Sequence, residues 1–278
     1  MTGEKDTGAV SNPRVSVLLT VYNGLPYVEA AIESILSQTF DEFEFVIVDD
    51  GSTDGTTELL KSYDDPRINL HIQANSGRAK ALETGRSVAT GKYIAVIDAD
   101  DTAESQRLER QVSVLDTNPS VALVGAWYFR RYEREVGHPT EEMVKPPTEH
   151  EALIAELPAR NPFAHSLVMY RAAVADRVGG YDETMDSCID YRLWVQIASA
   201  GYRVQILDEV LGTIRKHDKR AFKLSGKKQL RYLLTAFSVR WEAATSLDLP
   251  FYTRLLPVLM ITWAIVPTPL QNLIRKVR

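Results

Sequence analysis

Short apolar runs alternate with segments of helical periodicity over the first 115 residues of this 278-residue chain, and this alternation constrains the fold most. The runs have the length and composition of buried strands and cover residues 15–21, 43–48, 68–72 and 93–97. Helical spacing recurs between them, as in Val28, Ala31, Ile32, Ile35 and Leu36. Strands that alternate with helices usually pair in parallel. The pattern therefore predicts an α/β fold with a mainly parallel sheet flanked by helices.

The pattern changes beyond residue 115. We expect a strand at 121–128, an exposed hairpin or loop at 130–147, a helix at 150–157, a strand at 166–170 and a helix at 191–200. From Lys227 the chain becomes helical, basic and amphipathic. The predicted organisation is a disordered tail at 1–12, one main domain at 13–224 and an amphipathic helical region at 225–278.

Two acidic clusters stand directly after predicted strands. Asp49 and Asp50 follow the second strand, and Asp98, Asp100 and Asp101 follow the fourth. Open α/β sheets bind ligands at the carboxyl ends of their strands. Crowded carboxylates repel one another unless a divalent cation or the N–H groups of a nucleotide lie between them. The pattern favours such a site, and the alternative is that these aspartates cap helices.

Charge and cysteine content exclude some partners. The net charge of −5 disfavours non-specific nucleic-acid binding, which needs a basic surface, so we expect no nucleic-acid partner. The single cysteine, Cys188, excludes an internal disulfide and fits a reducing compartment. The first twelve residues lack the apolar segment of a secretory signal. We therefore expect a cytoplasmic location.

Three motifs in fixed order closely resemble those of glycosyltransferase family 2. They are residues 15–24 (VSVLLTVYNG), 48–56 (VDDGSTDGT) and 98–101 (DADD), and the resemblance runs from about residue 15 to residue 217. It implies a GT-A fold, with a Rossmann-like, mixed but mainly parallel sheet and here a C-terminal helical extension. It also implies an inverting enzyme that uses nucleotide-diphosphate sugars.

The resemblance assigns the donor-binding roles. It implies that Thr20 and Tyr22 line a site for a uracil-type base and that Asp50 accepts a hydrogen bond from the imide N–H of the base. A carboxylate at that place favours uracil over cytosine, whose corresponding ring nitrogen is an acceptor. By resemblance Asp98 meets the ribose, and Asp100 ligates Mg²⁺ or Mn²⁺ between the two phosphates.

Basic residues and a further carboxylate complete the expected site. The resemblance places Arg78 near the nucleotide, with a solvated surface residue as the alternative, and places His217 on a loop that closes over the diphosphate. His165 resembles a residue of the acceptor-side wall. Asp190 is the candidate catalytic base, with a simple helix N-cap as the alternative. Family members usually carry an acidic residue just before this aspartate, whereas this chain has Ile189.

The C-terminal region contains an apolar run at 255–266, too short to cross a bilayer as a helix, which needs roughly 20 residues. Residues 251–278 are expected to make peripheral contact with a membrane surface, with basic side chains near anionic headgroups. These are Arg254, Arg275, Lys276 and Arg278. The alternatives are a helical hairpin packed on the main domain and a homodimer contact.

The resulting prediction is a metal-assisted transfer of a sugar from a UDP-sugar to a hydroxyl group of a glycan or lipid-linked acceptor, in cell-surface polysaccharide or glycoconjugate assembly. Two alternatives stay open. A sugar-phosphate nucleotidyltransferase would normally carry a glycine-rich loop with arginine after the first strand, and residues 21–24 offer a single glycine. A catalytically inactive protein that binds nucleotide sugars would keep the same motifs.

Overall fold

The computed structural model describes residues 13–133, 139–216 and 227–265. Its first half contains four strands, and all of their pairings with one another are parallel, in the order β3, β2, β1, β4. The strands are β1 (Val15–Val21), β2 (Phe43–Asp49), β3 (Ile68–Ile72) and β4 (Tyr93–Asp98). The predicted parallel sheet is therefore confirmed. Its register aligns Thr20 with Val48 on one side and with Asp98 on the other.

Helices cover both faces of this sheet. They are α1 (Val28–Leu36), α2 (Thr56–Lys61) and α3 (Arg78–Val88). Side chains alternate across a strand, so successive residues of β1 join different cores. Leu19 packs with Ile32 of α1 on one face, whereas Leu18 packs with Leu82 of α3 on the other. The strand ends are held rigidly between two apolar layers.

The second half extends the sheet with strands of both directions. Strand β8 (Met169–Arg171) pairs antiparallel with both β4 and β6 (Val121–Tyr132). Strand β9 (Arg203–Lys216) pairs in parallel with β6 and antiparallel with β5 (Thr102–Ala103). The elements are β5 (Thr102–Ala103), α4 (Arg107–Thr117), β6 (Val121–Tyr132), β7 (Thr140–Val144), α5 (His150–Glu156), β8 (Met169–Arg171), α6 (Ala172–Val178), α7 (Ile189–Ser199) and β9 (Arg203–Lys216). The sheet is mixed and mainly parallel in its first half, as expected.

Two predicted strands beyond residue 115 have different bounds in the structure. The strand expected at 166–170 begins only at Met169, because His165–Leu167 forms a 3₁₀ turn. Strand β6 runs four residues past the expected end at 128, because its residues 128–132 pair with β7 at 140–144, in agreement with the hairpin expected there. Strand β9 and helix α6 were not predicted. The register of β9 against β6 is broken near Ala126 and Trp127, and such irregularity disrupts the alternation from which strands are recognised.

The described part of the C-terminal region, residues 227–265, consists mainly of helices, as predicted. It comprises α8 (Lys227–Ser246), a 3₁₀ turn (Phe251–Arg254) and α9 (Leu255–Ile265). Val239 and Ala243 of α8 are buried in the same core as Trp194 of α7. None of the helices within the described residues combines the length and the apolar character needed to cross a bilayer. The predicted tail at 1–12 and the predicted boundary at 224 lie outside the described residues.

A buried guanidinium ties α4 to the sheet below the acidic turn. Arg107 is fully buried, and its Nη2 donates to the carbonyls of Val96 (2.8 Å) and Val168 (3.1 Å). Its Nε donates to Oε1 of Gln111 (3.1 Å). Burial lowers the pKa of Arg107, while the charge of Asp101 opposes that shift. The contact joins β4, which ends at Asp98, to Val168, which lies between the 3₁₀ turn and β8.

We expect Arg107→Met to lower the free energy of unfolding by about 3 kcal/mol, because its buried hydrogen-bond acceptors lose their donor. Urea unfolding measures this loss. The matched control is Arg110→Met, one turn along α4, where the side chain is half-exposed and pairs with Glu209. That change should cost less than about 1 kcal/mol. Equal losses in the two variants would contradict the role of the buried guanidinium.

Candidate active site

Loops at the carboxyl ends of β1, β2 and β4 enclose a cleft of about 610 Å³. Six of the eight predicted site residues line it: Thr20, Tyr22, Asp50, Arg78, Asp98 and Asp100. Of the other two, Asp190 lies outside the lining of this cleft, and His217 lies outside the described residues. Side chains from four separate chain segments therefore meet at the sheet edge where α/β proteins bind ligands.

The loops after β1 and β2 are hydrogen-bonded to each other. The backbone N–H of Asn23 donates to Oγ of Ser52 (2.9 Å), and Oδ1 of Asn23 accepts from the N–H of Thr53 (2.8 Å). Asn23 adopts a left-handed conformation with φ of 55°. Asparagine tolerates this region better than most residues. Asn23 thereby shapes the wall that carries Tyr22, a role that the sequence analysis did not assign.

The two aspartates of the first cluster have different roles. Asp49 is fully buried and accepts hydrogen bonds from the N–H of Ser52 and the hydroxyl of Thr57, so it fixes its own turn. Asp50 faces the cleft and fixes the loop before α3. Its Oδ1 accepts from the N–H of Ser76 (2.9 Å), and its Oδ2 accepts from the N–H of Gly77 (2.9 Å). Asp49 therefore stabilises its turn without capping α2, whose N-cap is Gly55, while Asp50 joins two walls of the cleft.

Gly51 packs closely under that same loop. Its φ is 79°, and a Cβ atom there would lie 2.9 Å from the backbone nitrogen of Asn75. We expect Gly51→Ala to cost about 1–2 kcal/mol of stability through the left-handed backbone. Displacement of the loop should also weaken nucleotide binding in the cleft, the role that the resemblance assigns to it. Gly179→Ala is the control, since Gly179 has φ of 97° but open space around it. Isothermal titration with UDP should separate the two variants, and equal affinities would contradict the loop displacement.

Asp98 is held by a cation and a histidine. Its Oδ1 accepts from Nη2 of Arg78 (2.7 Å) and lies 3.0 Å from Nδ1 of His165. Burial alone would raise the pKa of Asp98, but the charges of Arg78 and His165 outweigh it and hold that pKa well below the usual range. Asp98 is therefore ionised. His165 is buried and contacts this carboxylate from the 3₁₀ turn that precedes β8.

The second acidic cluster lies in a tight turn at the end of β4. Strand β4 ends at Asp98, and the N–H of Asp101 donates to the carbonyl of Asp98 (3.2 Å), which closes a turn. Asp98 and Asp100 nevertheless line the same cleft. Asp101 is buried and accepts from the hydroxyl of Ser166 and the N–H of Arg215. Burial and the charges of Asp98 and Asp100 raise the pKa of Asp101 to about 7.

This concentration of negative charge suits a hard divalent cation, which carboxylate oxygens bind and whose charge would relieve their repulsion. Asp100 and Asp98 are the side chains of the turn that line the cleft and could hold it. Within the described ranges, no three His, Cys, Asp or Glu side chains are grouped as a metal site. The cation would therefore need further ligands, such as phosphate oxygens and water.

A second cleft of about 670 Å³ adjoins the first and shares Arg78, Asp98 and Asp100 with it. Arg215 of β9 connects the two clefts. Its Nε donates to the carbonyl of Asp100 (3.1 Å), and its guanidinium lies 4.6 Å from the ring centre of Tyr27, which lines the first cleft. The sequence analysis missed this residue, since the only signal was its position two residues before His217.

Asp190 lies in the first turn of α7, where its Oδ2 accepts from Nδ2 of Asn161 (2.9 Å). The helix N-cap is Cys188 and it makes no side-chain capping hydrogen bond, so the simple N-cap alternative for Asp190 does not hold. The charges of Asp98 and, less strongly, of Asp190 raise the pKa of Arg78, which places Asp190 within electrostatic range of the cleft. Ile189 is buried in the core.

Residues 16–179 match the sequence model of Glycosyl transferase family 2. The chain belongs to this family. The match ends before Asp190, so it covers the residues that line the first cleft and not the candidate base. Two curated relatives extend further along the chain. EpsE of Bacillus subtilis is 30% identical over 274 residues, covering 96% of this chain and 95% of EpsE. The amylovoran biosynthesis glycosyltransferase AmsE of Erwinia amylovora is 30% identical over 208 residues, covering 72% and 75%.

Solved structures confirm the predicted GT-A fold. Residues 1–349 of S. aureus TarS superpose with a TM-score of 0.67 at 19% identity, covering 91% of this chain and 72% of TarS 1–349. The mannosyltransferase PcManGT from Pyrobaculum calidifontis, solved with GDP-Man and Mn²⁺, gives 0.61 at 20% identity, covering 96% and 79%. The family 2 chain is thus a glycosyltransferase, and the nucleotidyltransferase alternative was wrong.

Proposed function

We propose that this family 2 glycosyltransferase transfers a sugar from a UDP-sugar to a hydroxyl group of a glycan or lipid-linked acceptor, with inversion at the anomeric carbon. One observation carries the proposal. The side chains expected to bind base, ribose and diphosphate line one cleft, while the expected base, Asp190, approaches from a different element. Inversion requires this separation, because the attacking oxygen and the departing diphosphate lie on opposite faces of the sugar.

The donor assignment is supported by the hydrogen-bond capacity of Asp50. Oδ1 of Asp50 accepts from Gln73 (2.8 Å) and from the N–H of Ser76, whereas Oδ2 accepts from Gly77. A carboxylate offers about four lone-pair positions, so Oδ2 retains capacity for the imide N–H of uracil. TarS 1–349, which shares the fold, was solved in complex with UDP and with UDP-GlcNAc.

In the proposed reaction, Asp190 takes the proton of the acceptor hydroxyl as its oxygen attacks C1 of the sugar and the bond from C1 to the diphosphate breaks. Asn161 donates to Oδ2 of Asp190 and so orients the carboxylate for this step. Arg78, at the junction of the two clefts, stabilises the negative charge that develops on the diphosphate.

A divalent cation, Mn²⁺ or Mg²⁺, would be held by Asp100 together with Asp98, and when bound it would neutralise charge on the diphosphate. The crowding of Asp98, Asp100 and Asp101 supports this proposal, as does the Mn²⁺ in PcManGT. The second cleft, lined by Tyr128 and Arg130 among others, is the place proposed for the acceptor. The name of AmsE supports a role in polysaccharide biosynthesis.

The test is a thermal-shift panel of nucleotide sugars with and without Mn²⁺, followed by transfer assays with the donor that stabilises most. We expect UDP-sugars to raise the melting temperature more than GDP- or CMP-sugars, and NMR of the product to show an inverted anomeric configuration. Retention would refute the proposed mechanism. Donor stabilisation without release of nucleoside diphosphate, with acceptors tested broadly, would favour the inactive binding protein.

A further inference from the structure

The outer side of α9 is apolar and exposed. Its residues and those of the preceding 3₁₀ turn are 39–74% exposed: Phe251, Tyr252, Leu255, Val258 and Leu259. Their spacing puts them on one stripe of the helix. The inner side, with the buried Pro257, packs against α8. A helix that is apolar all round is normally covered on every side.

Helix α8 also carries exposed apolar side chains. Leu230, Leu234 and Trp241 are 58%, 53% and 41% exposed, and their spacing also places them on one face. The opposite face, with Val239 and Ala243, is buried against the main domain. The hairpin formed by α8, the turn and α9 therefore attaches through small and branched residues and presents large apolar side chains outward. Apolar exposure on this scale marks an interaction surface.

The charge of this region differs in sign from that of the remainder. Residues 227–278 contain eight Lys or Arg and two Asp or Glu, a net charge of +6, against −11 for residues 1–226. Lys227, Lys228 and Arg231 lie at one end of the hairpin. Arg254 lies at the other end, 5.2 Å from the ring centre of Phe251. Positive charge therefore flanks the apolar stripes.

We infer that the outer surface of this hairpin docks on an anionic lipid bilayer. The apolar stripes would enter the boundary between headgroups and acyl chains, and the cationic ends would contact the headgroups. A second copy of the chain fits less well. Two hairpins packed around a twofold axis would bring cationic ends together, because both ends carry positive charge.

Docking would bring the lipid surface close to the candidate base, a consequence that rests on the proposed function. Arg231 of α8 pairs with Asp186 at 2.9 Å, four residues before Asp190. Burial raises the pKa of the neighbouring Tyr232, and the charges of Cys188 and Asp190 add to that shift. The start of α8 therefore lies near the beginning of α7, which carries Asp190 and where a lipid-linked acceptor would present its hydroxyl.

The test is flotation of the full chain with vesicles of phosphatidylcholine alone or with about one third phosphatidylglycerol. We expect binding to the anionic vesicles only, and at least a tenfold loss in Leu255→Glu/Leu259→Glu, because two apolar side chains become charged. The matched control is Ile72→Glu, which puts the same change on a 49% exposed residue of edge strand β3. It should bind like the wild type.

Two results would overturn the inference. One is equal flotation of the wild type and the double variant, or no flotation of either. The other is a concentration-dependent dimer, seen by sedimentation, that the double variant dissociates without any vesicle binding. Stabilisation by UDP, measured in every variant, confirms that the cleft is intact. Failure of UDP to bind any variant would count against the proposed function and leave the flotation result standing.

Discussion

Asp190→Asn should lower kcat for sugar transfer by about 10²–10⁴-fold while leaving UDP-sugar affinity nearly unchanged, because an amide cannot accept the acceptor proton. The substitution keeps the shape of the side chain and can keep a hydrogen bond to Asn161. Asp190 does not line the first cleft, the proposed donor site, so its charge should affect donor binding only weakly, through Arg78. Steady-state kinetics and a UDP-sugar thermal shift on the same preparation separate the two effects.

Asp186→Asn is the matched control for this substitution. Asp186 lies in the same segment, is 63% exposed and pairs with Arg231, so its loss should leave kcat within a factor of about two. Full activity of purified Asp190→Asn would refute the base assignment. A parallel loss of donor binding in Asp190→Asn would instead place this carboxylate in the donor site.

Asp100→Ala should abolish the Mn²⁺-dependent part of UDP binding and lower kcat/KM by about 10²–10³-fold, because the cation would lose a carboxylate ligand beside the diphosphate. The comparison that matters is UDP affinity with Mn²⁺ and with EDTA, measured by calorimetry. The wild type should bind more tightly with the metal, whereas the variant should bind equally in both conditions.

Asp64→Ala controls for the loss of one negative charge, since Asp64 is exposed and lies outside both clefts. It should retain the full metal dependence. Equal UDP affinity of the wild type with Mn²⁺ and with EDTA would refute the proposed cation. If Asp100→Ala keeps the wild-type dependence of UDP affinity on Mn²⁺, the metal ligand is another residue of the turn.

Local pattern predicted the first half of this protein well. Strands β1 and β3 have the predicted bounds, and β2 and β4 each run one residue longer. These elements are set by continuous apolar runs and helical spacing, which are local signals. Strand β9 depends on a long-range pairing with β6 that is broken by irregularities, so its sequence alternates poorly and it was missed.

In the candidate site too, some features follow from local sequence signals and others depend on the tertiary structure. The order of motifs placed Thr20, Tyr22, Asp50 and Asp98 at strand ends, and parallel pairing requires such ends to share one edge. It could not show that Asp49 faces inward to fix a turn while its neighbour Asp50 faces the cleft. Adjacent identical residues carry no sequence signal for this difference, because it depends on which side of the strand each one occupies.

The sequence by itself determined which functional groups the chain carries at these places: carboxylates at two strand ends, a basic residue at the start of α3 and a further carboxylate in α7. The tertiary structure alone decided which groups hold these residues. His165 and Arg78 hold Asp98, Asn161 orients Asp190, and Arg215 joins the acidic turn to the opposite wall. Each of these contacts joins residues at least 20 positions apart in the chain, so only the folded chain brings them together.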